Sequence, residues 1–244
     1  MRLSREPLWA LSLYPEAGEG GGCLSVTRRG RPVFSGGPPD VVRAAAEAGR
    51  RARAKIRRYA AANRLNRLGT LTYRGEGCHD PVRLRGDLAG FFRELRAGLG
   101  EGRLPYVWVP QWHPGGHGLH AHFAVARFVP RKLIERAWGN GFVHIKLLDG
   151  LPVGSGALGE ARLAARYLAR YVGRDLEDER RLAGLHRYEV AQGFQPAKIE
   201  CYGASAEDVI GRASGYMGSD PERVWLSADT EGWRGPPACW AQWG

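Results

Sequence analysis

The hydrophobic positions change period along the chain, and the changes mark out elements. Behind Asp40, a suitable N-cap, Ile56, Tyr59 and Leu65 form an apolar stripe on a helix expected to run to about Asn66. LGTLTY at 68–73 reads as a strand, its Thr and Tyr suited to a pleated surface. Asp80-Pro81 starts a second helix, with Asp as cap and Pro in the first turn, running to about Gly98. LPYVWVPQW at 104–112 is a strand that Pro110 restricts to an edge or a bulge. The turn PGGHG at 114–118 leads back into LHAHFAVAR at 119–127, a hairpin signal. A short helix at 130–138, a strand at 142–148, a Gly/Pro-rich link at 149–159 and a helix at 160–172 follow.

Strand, helix, strand, strand, helix, strand, helix is the order of an α+β domain, a central antiparallel β-sheet covered by helices. The ends are less regular. Residues 1–40 hold two Gly/Pro-rich stretches and read as an N-terminal extension, with a short hairpin near Cys23–Phe34. Residues 41–67 form the first helix, 68–175 the core, and 176–244 a C-terminal extension packed on the core. Within that extension RYEVAQGF and KIECYG read as paired strands and 205–217 as a helix. Trp225, Trp233, Trp240 and Trp243 read as anchors for the tail, and no internal repeat is present.

Composition narrows the partners. The 244 residues are 43% hydrophobic, which excludes a wholly disordered basic protein. No run of 18 apolar residues exists, so no membrane span is expected. The short apolar stretch near the start is broken by Pro15 and Glu16, so no signal peptide is read. Four dispersed cysteines without a CxxC pair argue against a disulfide framework and for a reducing cytoplasm. Against 25 Asp and Glu stand 36 Lys and Arg, a net charge of +11. High-GC coding accounts for much of the preference for Arg over Lys, but not for the net charge, which points to a nucleic acid. Residues 50–67 concentrate it: Arg50, Arg51, Arg53, Lys55, Arg57, Arg58, Arg64 and Arg67 are eight cations without one acid, a candidate phosphate-tracking surface.

Two patterns carry chemistry. His120 and His122 alternate on a strand, so both imidazoles share a face within reach of one metal ion. The incoming strand of the same hairpin offers Gln111 and His113, either of which completes the site if the register allows. Imidazole with amide or carboxylate ligation suits Mn, Mg or Zn. His117 falls in the glycine-rich turn and is expected to be exposed. The helix ARYLARYVGRD carries Tyr167 and Tyr171 four apart on one face, followed three residues later by Arg170 and Arg174. A tyrosine nucleophile needs activation, because its pKa is ordinarily about 10. Guanidinium groups nearby favour the phenolate and bind a phosphate under attack.

Together these residues resemble the HUH endonucleases of rolling-circle replication initiators, whose core is ferredoxin- or RRM-like. Leu68–Tyr73 resembles their first motif, His120-Ala121-His122 the metal motif, and Tyr171-Val172-Gly173-Arg174-Asp175 the YxxK motif. Tyr167 stands where related phage initiators have a second tyrosine. ANRLNRLGTLTY and RYEVAQGFQP also resemble short initiators of actinobacterial plasmids and integrative elements. Two features depart from the family: Arg170 and Arg174 replace Lys, and Gln111 stands nine residues before the pair, where a metal-binding Glu is common. His113 is the alternative third ligand.

The resemblance implies Mn2+ or Mg2+ at the histidines, Tyr171 attacking phosphorus to form a 5′-phosphotyrosine link, and Tyr167 making a second transfer. Origin DNA in single-stranded form is the implied substrate, with no small-molecule substrate. No GxxxxGK[ST] motif is present, so a host helicase and polymerase are the implied partners. A relaxase or transposase shares this chemistry. A non-catalytic DNA-binding regulator with a degenerate metal site, or a phosphodiesterase that uses water, also fits the residues.

Overall fold

The structure, a computed structural model, describes residues 8–25, 41–100, 102–146, 148, 156–174, 186–233 and 235–244. In chain order its elements are β1 (Leu8–Tyr14), β2 (Glu19–Ser25), α1 (Val41–Ala62), β3 (Arg67–Tyr73), α2 (Pro81–Gly98), β4 (Tyr106–Trp112), β5 (Leu119–Val125), α3 (Arg131–Trp138), β6 (Gly141–Lys146), α4 (Gly156–Arg174), β7 (Glu189–Val190), β8 (Ile199–Gly203), α5 (Ala206–Met217), β9 (Arg223–Leu226) and β10 (Ala238–Gln242). They fall into two compact units, Asp40–Gln195 and a second made from both ends, Met1–Pro39 with Pro196–Gly244.

The central unit is the α+β domain read from the sequence. Its antiparallel sheet runs β6-β3-β5-β4-β7. The β3-α2-β4-β5-α3-β6 portion, with β3 and β5 central, has the split βαβ order of ferredoxin-like folds. Asp80 caps α2 by accepting from the Val82 N–H at 2.8 Å, with Pro81 in the first turn. α1 ends at Ala62, short of the expected Asn66: Asn63 Nδ2 donates to the Tyr59 carbonyl, and Arg64 takes the left-handed φ of 55° that turns the chain into β3. α4 starts at Gly156, inside the stretch read as a link.

Each face of this sheet has its own core. One packs Leu71, Tyr73, Trp108, Phe123 and Val125 against Phe91, Phe92 and Leu95 of α2 and Ile134 and Trp138 of α3. Gly69 faces Phe123 across the β3–β5 ladder, and a Cβ there would overlap the ring. The other packs Leu68, Val107, Val109 and Ala124 against Ile56 and Tyr59 of α1 and Ala164, Leu168 and Val172 of α4. Burying a side chain the size of Phe123 stabilises by roughly 1.5–3 kcal/mol.

The β4–β5 hairpin has the expected turn. His113 N–H donates to the Gly118 carbonyl at 2.8 Å, and Gly116 and Gly118 take φ of 79° and 76°. β7 pairs with β4 only at Val107 and Trp108, so Pro110 lies beyond that pairing, on a stretch without an outer strand among the described residues.

The end segments combine instead of forming two separate extensions. β1 and β2 make a hairpin over residues 8–25, earlier than the one expected near Cys23–Phe34, most of which lies outside the described residues. The unit's sheet runs β8-β1-β2-β10-β9, with α5 and the buried Trp243 packed on Leu11 and Leu13. The expected pairing of RYEVAQGF with KIECYG does not occur: β7 joins β4 in the central unit, and β8 joins β1. Two residues of β7 are too short to specify a partner by pattern, and β8 finds its partner almost the whole chain away. No helix among the described residues is long and apolar enough to cross a membrane.

Candidate metal centre and tyrosine helix

β5 is buried along its whole length, and its alternation decides what each face receives. Ala121, Phe123 and Val125 enter the core under α2 and α3. His120 and His122 point to the opposite face, 6% and 5% exposed. The hairpin register places Gln111 opposite His120 and Val109 opposite His122. The result is a tight triangle: His120 Nε2 lies 3.1 Å from His122 Nε2 and 3.1 Å from Gln111 Oε1, and His122 Nε2 lies 2.8 Å from the same oxygen.

Three atoms that can each offer a lone pair need a shared proton or a cation between them at this spacing. Adjacent ligands of an octahedral ion bound at about 2.1 Å are about 3.0 Å apart, so the three fit one triangular face of such an ion. Second contacts support that role. His122 Nδ1 lies 2.9 Å from Thr70 Oγ1 on β3; when Nδ1–H donates there, Nε2 keeps its lone pair for the triangle. His120 Nδ1 is buried without a hydrogen-bond partner. Burial first, and the neighbouring His113 second, push the His120 imidazole down to about 4, so at neutral pH it is the uncharged ring that a metal requires.

His113 is near but turned aside. Its ring centroid is 5.6 Å from that of His120, and its Nδ1 accepts from the Gly115 N–H at 3.1 Å, which occupies it in the turn. Among the described residues no group of three His, Cys, Asp or Glu side chains converges, so Gln111 is the third member of the cluster. His117 is half-buried, not exposed as expected: its Nε2 lies 3.1 Å from the Tyr73 carbonyl oxygen, which ties the turn to β3.

α4 brings the tyrosines to the same place. Its Ala161, Ala164, Ala165, Leu168 and Val172 are fully buried, and this stripe sets the helix on the sheet. Tyr167 and Tyr171 border it, both half-buried, with ring centroids 5.2 Å apart. The Tyr171 ring stacks on His122, centroids 3.7 Å apart and planes 14° apart. The Tyr167 ring meets His122 edge-on at 6.1 Å. Arg170 is exposed on the same helix, and the side chain of Arg174 lies outside the described residues. Two neighbours escaped the sequence reading. Thr70 orients His122, and Lys146 of β6 places its ammonium 5.1 Å from the centre of the Tyr167 ring. Strand alternation alone put Thr70 on one face of β3; only the β3–β5 register shows that it is the face of the histidines.

The basic segment does not form one uniform surface. Arg50, Arg51 and Lys55 are exposed on α1, whereas Arg53, Arg57 and Arg58 are half-buried. Arg50 and Arg51 each lie 3.9 Å from Glu47, an acid just before the segment. Arg64 donates to the Ala61 carbonyl at the end of the helix, and Arg67 is exposed at the start of β3.

Residues 66–176 match the model of a family of replication-associated proteins, the ORF2 type. No curated protein and no solved structure matches the chain. The matched stretch contains the whole cluster of Thr70, Gln111, His120, His122, Lys146, Tyr167 and Tyr171, and in that stretch the chain is similar to replication-associated proteins.

Proposed function

We propose that the chain is a rolling-circle replication initiator of the HUH type, which nicks and rejoins one DNA strand through a 5′-phosphotyrosine intermediate. The observation that carries this reading is the stacking of Tyr171 on one of two histidines whose Nε2 atoms converge with Gln111 Oε1. A purely structural tyrosine has no need of that neighbour.

His120, His122 and Gln111 would hold Mn2+ or Mg2+, which supplies polarisation of a phosphoryl oxygen when bound. The chain's own residues do the rest. His122 holds the Tyr171 ring in place, and Thr70 holds His122. Tyr171 Oη forms the new bond to phosphorus, its proton is lost, and the P–O3′ bond breaks to leave a 3′-hydroxyl that primes synthesis. Arg170, with Arg174, offers guanidinium contacts to the phosphate. Tyr167, beside Lys146, is placed for the second transfer that closes the strand. A host helicase and polymerase would do the unwinding and synthesis, in the cytoplasm of the cell that carries the replicon.

The test is cleavage of single-stranded oligonucleotides tiled across the DNA flanking the gene, with Mn2+, with Mg2+ and with chelator. The reading expects metal-dependent cleavage at one site and a protein–DNA species that survives denaturation. Cleavage without such a species would assign the reaction to water instead of tyrosine. Sequence-specific binding without cleavage in either metal would make the chain a regulator.

A further inference from the structure

A second feature of the central unit lies away from the histidines and has no part in that chemistry. α1, α2 and residues 186–192 enclose a cleft of about 680 Å³. Arg51 and Lys55 line it from α1, one turn apart on the same face as Ala48 and Ala52. Arg85 lines it from α2, and Arg187, Tyr188 and Glu189 from the segment entering β7. Arg85 Nε lies 2.7 Å from Glu189 Oε1, an ion pair that links two of the walls. Four cations against one carboxylate, from three segments far apart in sequence, make a concave site for an anion. Its size is within the range of about 300–1,000 Å³ usual for ligand sites, large enough for a nucleotide.

We infer that this cleft is a nucleotide subsite for single-stranded DNA, in which Arg51, Lys55, Arg85 and Arg187 hold backbone phosphate and Tyr188 lies against a base. The single strand is favoured over the duplex by shape and by the aromatic wall. A duplex presents its phosphates on a convex ridge, whereas a single strand can put one nucleotide, phosphate and base together, into a concavity and stack it on a ring. The inference deepens the strand-nicking reading by giving the same strand a second contact. It also divides the basic helix: Arg51 and Lys55 face the cleft, and Arg53 and Arg57 do not line it.

The test uses fluorescence anisotropy of a labelled thymidine 20-mer with the full chain, in chelator, over a series of salt concentrations. Arg51→Gln with Lys55→Gln should lower the log–log salt slope by about 1.4, since a single strand releases about 0.7 counterion per phosphate contact. Arg85→Gln should lower it by about 0.7 from another wall. Glu189→Gln removes the one acid and should tighten binding about threefold, a gain that misfolding cannot produce. Arg53→Gln with Arg57→Gln takes the same charge from the same helix outside the cleft and should cost less than the Arg51/Lys55 pair. Equal losses from the two pairs would overturn the inference, as would losses confined to a duplex of the same length, or weaker binding by Glu189→Gln in a folded protein. Binding read this way is independent of the covalent adduct. A chain that binds as described but forms no adduct loses the nicking reading and keeps the cleft, and the reverse result loses only the cleft.

Discussion

The two faces of the central sheet are equally buried and chemically opposite. Phe123 is 2% exposed on one, and His120 and His122 are 6% and 5% exposed on the other. On the first, ring meets ring: Phe91 packs edge-on against Phe92, Phe123 and Trp138, and Phe92 stacks on Tyr106 at 3.6 Å. On the second, a buried triangle of two ring nitrogens and an amide oxygen sits beneath two tyrosines. Apolar packing stabilises in proportion to the area it removes from water. A buried cluster of lone pairs does not stabilise in that way, and its desolvation costs free energy unless a partner satisfies it. The comparison teaches that burial alone does not identify a core residue; what a buried side chain touches does.

The sharpest way to break this comparison is to exchange the two kinds of loss. His122→Ala should abolish metal-dependent cleavage, a fall of several orders of magnitude in rate, while the melting temperature changes little. Phe123→Ala should do the reverse, costing about 3–5 kcal/mol of stability in denaturant unfolding while folded molecules retain the site. If His122→Ala unfolds the chain as badly as Phe123→Ala, the histidine face is a core and not a site.

Finer changes sharpen the same contrast. Thr70→Val keeps the shape of β3 but removes the partner of His122 Nδ1, and should weaken metal affinity by about 10- to 100-fold in calorimetric titration. Unchanged affinity would mean that the tautomer is set elsewhere. Gln111→Glu should move affinity the other way, by a smaller factor, because a carboxylate adds charge at the same contact. Weaker binding there would transfer the third position to His113.

The division between the faces was half legible in the sequence. HAH on a strand and PGGHG before it announced a hairpin with two histidines on one side, and YLARY announced two tyrosines on one helical face. The choice between Gln111 and His113 was not legible, because both alternate with the same period. The turn separates them geometrically, since Gly115 takes the His113 Nδ1 and leaves Gln111 Oε1 on the pair. Thr70 and Lys146 depend on the register of β3 with β5 and β6, which pattern alone does not give. The end unit was the least legible part. β2 pairs with β10 across more than 200 residues of sequence, and no local period records such a partner.

The most direct test of the central claim is peptide mapping of the protein–DNA adduct by mass spectrometry, in the parent chain and in Tyr171→Phe. The phenylalanine keeps the ring that stacks on His122 and removes only the nucleophilic oxygen. The account predicts the 5′-phosphate on Tyr171 in the parent chain and no adduct from the first cleavage in the variant. An adduct on Tyr167 alone would reverse the two tyrosines, and cleavage by Tyr171→Phe at the parent rate, with no protein attached to the DNA, would contradict the account.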